Sequence, residues 1–156
     1  MASKINVLFI CLGNICRSPM AEAVFSHIVK EKNLSENFYI DSAATSDYHI
    51  GDTPDQRSVA KCNEHGVSVN HRGRQVTKSD FNKFDYIFCM DESNLRDLNS
   101  IKPDKCKATV KLFGEFDPEG DRIIKDPYYG GDAQFERNFQ QVQRCSIAFL
   151  ASLGHQ

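Results

Sequence analysis

Apolar positions along the chain fall into two alternating patterns. Short, mostly apolar runs occur at Ile5-Asn6-Val7-Leu8-Phe9-Ile10, Phe38-Tyr39-Ile40, Tyr86-Ile87-Phe88-Cys89-Met90 and Thr109-Val110-Lys111-Leu112-Phe113. Their length and their β-branched or aromatic content predict strands. Between them, apolar residues recur at helical spacing. Residues 18–32 form the first such stretch, with Pro19 in its opening turn and Met20, Val24, Ile28 and Val29 on one side. Residues 54–65 form the second and stop at Gly66, a residue suited to the left-handed end of a helix. Asp91 is placed to cap a third helix running through Leu98. The last spans residues 132–153, with Phe135, Phe139, Val142, Ile147 and Leu150 turned inward. Such alternation predicts an α/β fold: a parallel sheet covered on both faces by helices and joined by right-handed crossovers. Two irregular stretches, 45–53 and 116–131, interrupt the pattern, and loops of that length commonly carry function.

Composition narrows the class without naming a chemistry. At 156 residues, 40% hydrophobic and 26% charged, the chain is expected to form one domain, residues 1–156, with an ordinary core. A net charge of −2 gives no overall pull toward nucleic acid or membrane, so any anion site must be local. Met1-Ala2-Ser3-Lys4 leads directly into a six-residue apolar run, too short for the core of a signal peptide. Six cysteines, at 11, 16, 62, 89, 106 and 145, fall largely in or beside predicted elements, where a free thiol behaves as a small hydrophobe. A cytoplasmic location is the expectation.

One place in this pattern carries chemistry. The first strand runs into Cys11-Leu12-Gly13-Asn14-Ile15-Cys16-Arg17-Ser18-Pro19: a thiol, a tight Gly/Asn loop and a helix start. Such a loop gathers backbone N–H groups into one small space, and the helix adds its positive dipole end. A thiol held there is expected to ionise easily. Arg17 can supply a planar, two-pronged grip on a phosphate. The pair Cys11 and Arg17 is weak by spacing alone, and a strand-end cysteine that merely packs is the plain alternative. The strand before and the Ser-Pro after strengthen the reading of an enzyme that attacks a phosphate ester with cysteine.

Transfer of a phosphoryl group to a thiolate also needs an acid for the departing oxygen. Asp126, in Lys125-Asp126-Pro127-Tyr128-Tyr129-Gly130-Gly131, is the best candidate, because Pro127 biases it toward an extended conformation. The two tyrosines offer an aromatic wall for a flat substrate; a surface Asp-Pro turn is the bland alternative. A zinc site from Cys62, His65, His71 and Cys89 lacks paired ligand spacing. Glu22, Asp41 and His71 read as surface or capping groups, and Lys102, Lys105, Lys107 and Lys111 as a solvated face. Gly13 fits no nucleotide-binding fingerprint, so no cofactor is indicated.

The segments around Cys11, together with Asp41-Ser42-Ala43-Ala44-Thr45, Cys89-Met90-Asp91-Glu92-Ser93-Asn94-Leu95 and Asp126-Pro127-Tyr128-Tyr129, resemble the low molecular weight protein tyrosine phosphatases, also called acid phosphatases. The resemblance spans nearly the whole chain. It implies a three-layer α/β/α sandwich around a four-stranded parallel sheet, and a metal-independent, two-step mechanism. By this resemblance Cys11 is the nucleophile and forms a phosphocysteine. Arg17 and the backbone of Leu12, Gly13, Asn14, Ile15 and Cys16 clamp the phosphate, Ser18 donates a hydrogen bond to the sulfur, and Asp126 is acid and then base. Asn14, Ser18, Ser42 and His71 form the supporting network; Tyr48, His49, Tyr128 and Tyr129 line the pocket. Ile15 stands where related bacterial phosphoarginine phosphatases carry threonine, which favours tyrosine. Cys16, beside Arg17, is placed for a reversible disulfide with Cys11 under peroxide, with inert packing as the alternative. Tyr128 and Tyr129 are candidate phosphorylation sites.

Phosphotyrosine proteins or peptides and aryl phosphates are the expected substrates, with inorganic phosphate as product, and a monomer with weak self-association is expected. The rim 46–51 departs from the family, and His49 leaves substrate preference open. Two other readings compete. Arsenate reduction needs a cysteine relay to Cys11, and no second downstream cysteine pair is evident. A catalytically dead phosphotyrosine-binding module would need neither Cys11 nor Asp126.

Overall fold

A computed structural model describes residues 4–155. The reading of Met1, Ala2 and Ser3 as part of a chain start without a targeting signal lies outside the described residues. Four strands, β1 (Ile5–Cys11), β2 (Phe38–Ala44), β3 (Tyr86–Cys89) and β4 (Thr109–Leu112), form one sheet in the order β2-β1-β3-β4. Every pairing is parallel, from Ile5 opposite Phe38 to Cys89 opposite Leu112. Among the described residues five α-helices accompany them: α1 (Arg17–Glu31), α2 (Gln56–Glu64), α3 (Asp80–Lys83), α4 (Glu92–Ile101) and α5 (Asp132–Ser152).

The central strand shows why the fold forms. Val7, Leu8, Phe9 and Ile10 are all fully buried, as a strand covered on both faces requires. Val7 and Phe9 join a core with Phe25 of α1 and Phe139 and Phe149 of α5. Leu8 and Ile10 join the opposite core, with Phe81, Phe84 and Leu98. This is the expected three-layer arrangement. Because β1 leads into α1 on one face and β3 into α4 on the other, their carboxyl ends open a crevice at the topological switch point. Cys11 stands at the end of β1 and Asp91 just beyond the end of β3.

Several expectations shift. β2 continues past Ile40 through Asp41, Ser42, Ala43 and Ala44, because it pairs with β1 along its whole length while its polar residues serve the site. α4 runs on to Ile101, and Phe113 starts a 3₁₀ turn instead of ending β4. The short α3 and the irregular stretch 66–79 before it had no sequence signal. Ile147 is 50% exposed, and Cys145, Phe149 and Leu150 complete the buried face of α5 instead. Gly66 ends α2 at φ 77°, and Asp91 caps α4 in a reciprocal box with Asn94. Among the described residues no helix is long and apolar enough to cross a membrane.

Candidate active site

The loop between β1 and α1 is pinned from outside by its carbonyls. Thr45 N–H donates to the Cys11 carbonyl at 3.0 Å, and Ser46 donates to that of Leu12 through N–H at 3.1 Å and Oγ at 2.7 Å. Asp55 N–H donates to the Ile15 carbonyl at 2.7 Å, and Ser58 Oγ to that of Cys16 at 3.0 Å. Among the described residues, the amides of Gly13, Ile15, Cys16, Arg17 and Ser18 donate to no protein acceptor. With the carbonyls held outward, these unpaired N–H groups have the geometry of an anion cradle.

Asn14 makes the sharp turn possible. It is fully buried and sits at φ 57°, a left-handed conformation that asparagine tolerates better than most residues. Its Nδ2 donates to Ser18 Oγ at 2.7 Å and Ser42 Oγ at 3.0 Å. Its Oδ1 accepts from Arg74 N–H at 3.2 Å and lies 2.6 Å from His71 Nε2. The other His71 nitrogen lies 3.1 Å from Glu22, so both ring nitrogens face acceptors. Ser42 donates to Glu22 at 2.6 Å. Since Ser18 Oγ accepts from Asn14, its own proton is free for Cys11 Sγ, 3.1 Å away. Asn14 N–H reaches the same sulfur at 3.2 Å.

Arg17 opens α1 with only 3% of its side chain exposed. Nη1 donates to Asp91 Oδ2 at 2.6 Å and to the Ile124 carbonyl at 2.9 Å. Nη2 lies 3.8 Å from Asp126 Oδ2. Burial opposes the guanidinium charge, but Cys11, Asp91 and Asp126 outweigh it and hold the group above its ordinary value. In the sequence Asp91 is marked only as a helix cap. Its position just past β3, facing Cys11 across the switch point, is the signal for its second role.

Asp126 belongs to a loop stapled to α5. Asn138 Nδ2 donates to the Lys125 carbonyl at 2.9 Å, and Gln141 Nε2 to that of Ile123 at 3.0 Å. Tyr128 N–H donates to Asp126 Oδ1 at 3.0 Å, leaving Oδ2 on the Arg17 side. A pocket of about 250 Å³ brings together Cys11, Leu12, Gly13, Ile15, Cys16, Arg17 and Asp126 with Tyr48, His49, Tyr128 and Tyr129. Tyr128 is 40% exposed, whereas Tyr129 is 96% exposed and forms only the outer lip. His49 packs over Gly13, where a Cβ would lie 3.0 Å from its ring, and pairs with Asp52 at 3.0 Å. Ser42 and His71 stand behind the loop, outside the pocket.

The remaining candidates separate. Cys62 and Cys89 lie in opposite cores, and His65 pairs with Glu136, so they share no site. Glu22, Asp41 and His71 do converge, against the sequence reading, but Ser42, His71 and Arg74 already occupy their carboxylates. Burial foremost, with Asp55 nearby, pushes the Cys16 thiol far above its ordinary value.

Comparison with known proteins sets this geometry in a family. The family model for low molecular weight phosphotyrosine protein phosphatases matches residues 6–156. The human low molecular weight phosphotyrosine protein phosphatase is 56% identical over 147 residues, with 93% of each chain covered. A crystal structure of a protein tyrosine phosphatase from Entamoeba histolytica has a TM-score of 0.93 and 36% identity, with 97% of both chains covered. A Drosophila arginine phosphatase has a TM-score of 0.88 and 38% identity, covering 94% of this chain and 96% of its own.

Proposed function

Because this chain belongs to the low molecular weight phosphotyrosine protein phosphatase family, we infer that Cys11, Arg17 and Asp126 carry its hydrolysis of phosphotyrosine and aryl phosphate esters. The observation that supports these roles most is their convergence on one pocket from three distant segments. In the first step the Cys11 thiolate attacks phosphorus, the bond to the phenolic oxygen breaks, and Asp126 gives that oxygen its proton. Oδ1 is held by Tyr128, so Oδ2 is the oxygen that bears the proton. Asp91 and Ile124 engage Nη1 of Arg17, which leaves Nε and Nη2 to grip the phosphate beside the free loop amides. In the second step Asp126 takes a proton from water as the water oxygen attacks the phosphocysteine. The sulfur leaves as thiolate, eased by the Ser18 hydroxyl, and inorganic phosphate departs.

Ile15 and the ring of Tyr128 give the pocket apolar walls suited to an aryl group, which favours phosphotyrosine over phosphoarginine. The six unpaired thiols suit a cytosolic, single-domain enzyme. The raised Cys16 thiol makes Cys11 the sulfur that peroxide oxidises first. Cys11 thiolate becomes a sulfenic acid with loss of hydroxide; the Cys16 sulfur then displaces water and closes a disulfide. Peptide mapping after peroxide should find that link, reversible by thiols; its absence returns Cys16 to packing.

The roles are tested by aryl phosphate hydrolysis with a chelator present. Turnover should persist in the wild type and vanish in Cys11→Ser. Asp126→Ala should lose about 10²–10⁴-fold, the usual contribution of a general acid. Full activity in Cys11→Ser would remove the nucleophile from this reading.

A further inference from the structure

The first turn of α2 touches both halves of the site. On one side it is tied to the anion loop, through Asp55 N–H on the Ile15 carbonyl at 2.7 Å and Ser58 Oγ on that of Cys16 at 3.0 Å. On the other side Arg57 reaches the acid loop. Its guanidinium lies 5.4 Å from the Tyr128 ring centroid and 4.8 Å from that of Phe135, the buried aromatic in the opening turn of α5. Asp55 fixes the plane of that group with two contacts, Nε to Oδ1 at 3.1 Å and Nη2 to Oδ2 at 3.0 Å.

We infer that Arg57 is a positioning residue for the general acid, holding Tyr128 by its ring and, through the Tyr128 amide, the carboxyl of Asp126. The inference rests on the assignment of Asp126 as that acid. The path is continuous: Ile15 carbonyl, Asp55, Arg57, Tyr128 ring, Tyr128 amide, Asp126 Oδ1. Each link suits its partners chemically. A planar guanidinium stacks on aromatic faces while its edge grips a carboxylate at two points; an ammonium can reach a ring but has neither the plane nor the paired edge. The Asp55 carboxyl is held below its ordinary range by its hydrogen bond from Arg57, so the pair keeps its charges at neutral pH. The need for such a strut is evident on the pocket side. Asp126 is 42% exposed and is separated by 3.8 Å from Arg17, so no close side-chain contact fixes it there. Misplacing a catalytic group by about 1 Å can cost on the order of 10²-fold.

The alternative is that Arg57, with 47% of its side chain exposed, is a rim cation that attracts the phosphate dianion. The two roles separate by leaving group. Phenyl phosphate, with a strongly basic leaving oxygen, depends on protonation more than p-nitrophenyl phosphate does. Arg57→Ala and Arg57→Lys should each lower kcat/KM for phenyl phosphate about tenfold and for p-nitrophenyl phosphate less than about threefold, a fraction of the general-acid contribution. In an Asp126→Ala background Arg57→Ala should cost less than about twofold on either ester, since groups that act as a unit are not additive. Inhibition by inorganic phosphate should stay unchanged. Equal losses on both esters with weaker phosphate inhibition and rescue by lysine would overturn the inference, as would undiminished losses in the Asp126→Ala background. If Asp126→Ala itself cost nothing with phenyl phosphate, the acid assignment would fall first and this inference with it.

Discussion

Asn14 carries more of the site than its size suggests. It supplies the left-handed turn and hydrogen bonds to Ser18, Ser42, His71 and the backbone of Arg74. Asn14→Ala would keep a Cβ in that conformation without the polar side chain that offsets its cost of about 1–2 kcal/mol, and leave buried polar partners unsatisfied at about 1–3 kcal/mol each. Partial relaxation reduces the sum, so urea unfolding should show a loss of about 2–4 kcal/mol. Asn14→Gly, which relieves only the backbone cost, should recover the smaller part. Activity should fall in both, because Ser18 loses the contact that turns its proton toward Cys11. Cys11, Arg17 and Asn14 were legible in the sequence because the chemistry of a tight loop is written in adjacent residues. Glu22, Asp91 and Arg57 were not. Their roles depend on contacts across 20 to 74 positions of chain, and Asp91 looked complete as a helix cap.

The loop that carries Asp126 is tied to α5 as well as by its own turn. Asn138, fully buried, donates to the Lys125 carbonyl beside Asp126 and accepts from Gln134. Asn138→Ala should cost about 1 kcal/mol of stability, since the freed carbonyl gains some access to water. Its effect on kcat/KM for phenyl phosphate should be larger, about tenfold, because the loop loses its fixed distance to the anion cradle. Equal thermal stability and an unchanged rate would show that Gln141 and Ile124 hold the loop alone. The elements themselves are readable where an apolar run or helical spacing marks them, as in β1 and α5. The apolar run that predicts β2 ends at Ile40, because Asp41 and Ser42 break it while serving the His71 network. α3 spans only four residues and sits after an irregular stretch, so it has no period to detect.

Across the molecule, acid stability should centre on buried carboxylates. Asp117 has a side chain with no exposed surface. Burial alone would raise its carboxyl, but two hydrogen bonds from Arg144 at 3.0 Å, with the Glu119 amide, outweigh it and hold it below the ordinary range. A carboxyl depressed in the folded state adds stability above its unfolded value, about 4, and loses it as pH falls through the lower folded value. Thermal melting should therefore drop steeply below about pH 4, and Asp117→Asn should flatten that limb while lowering stability at neutral pH. An acid limb identical in the variant would place the sensitivity elsewhere. The same burial pushes the thiols of Cys62, Cys89 and Cys145 up to about 12, so they stay neutral and inert.

Cys11 is the sulfur assigned the attack on phosphorus in the proposed mechanism, and the covalent intermediate is its most direct signature. Turnover of phenyl phosphate, with chelator present, should be stopped rapidly and the protein digested for mass spectrometry. The phosphoryl group should be found on the peptide containing Cys11, appear within one turnover, and be absent in Cys11→Ser. Phosphate on any other residue, or hydrolysis that proceeds in Cys11→Ser, would contradict the account.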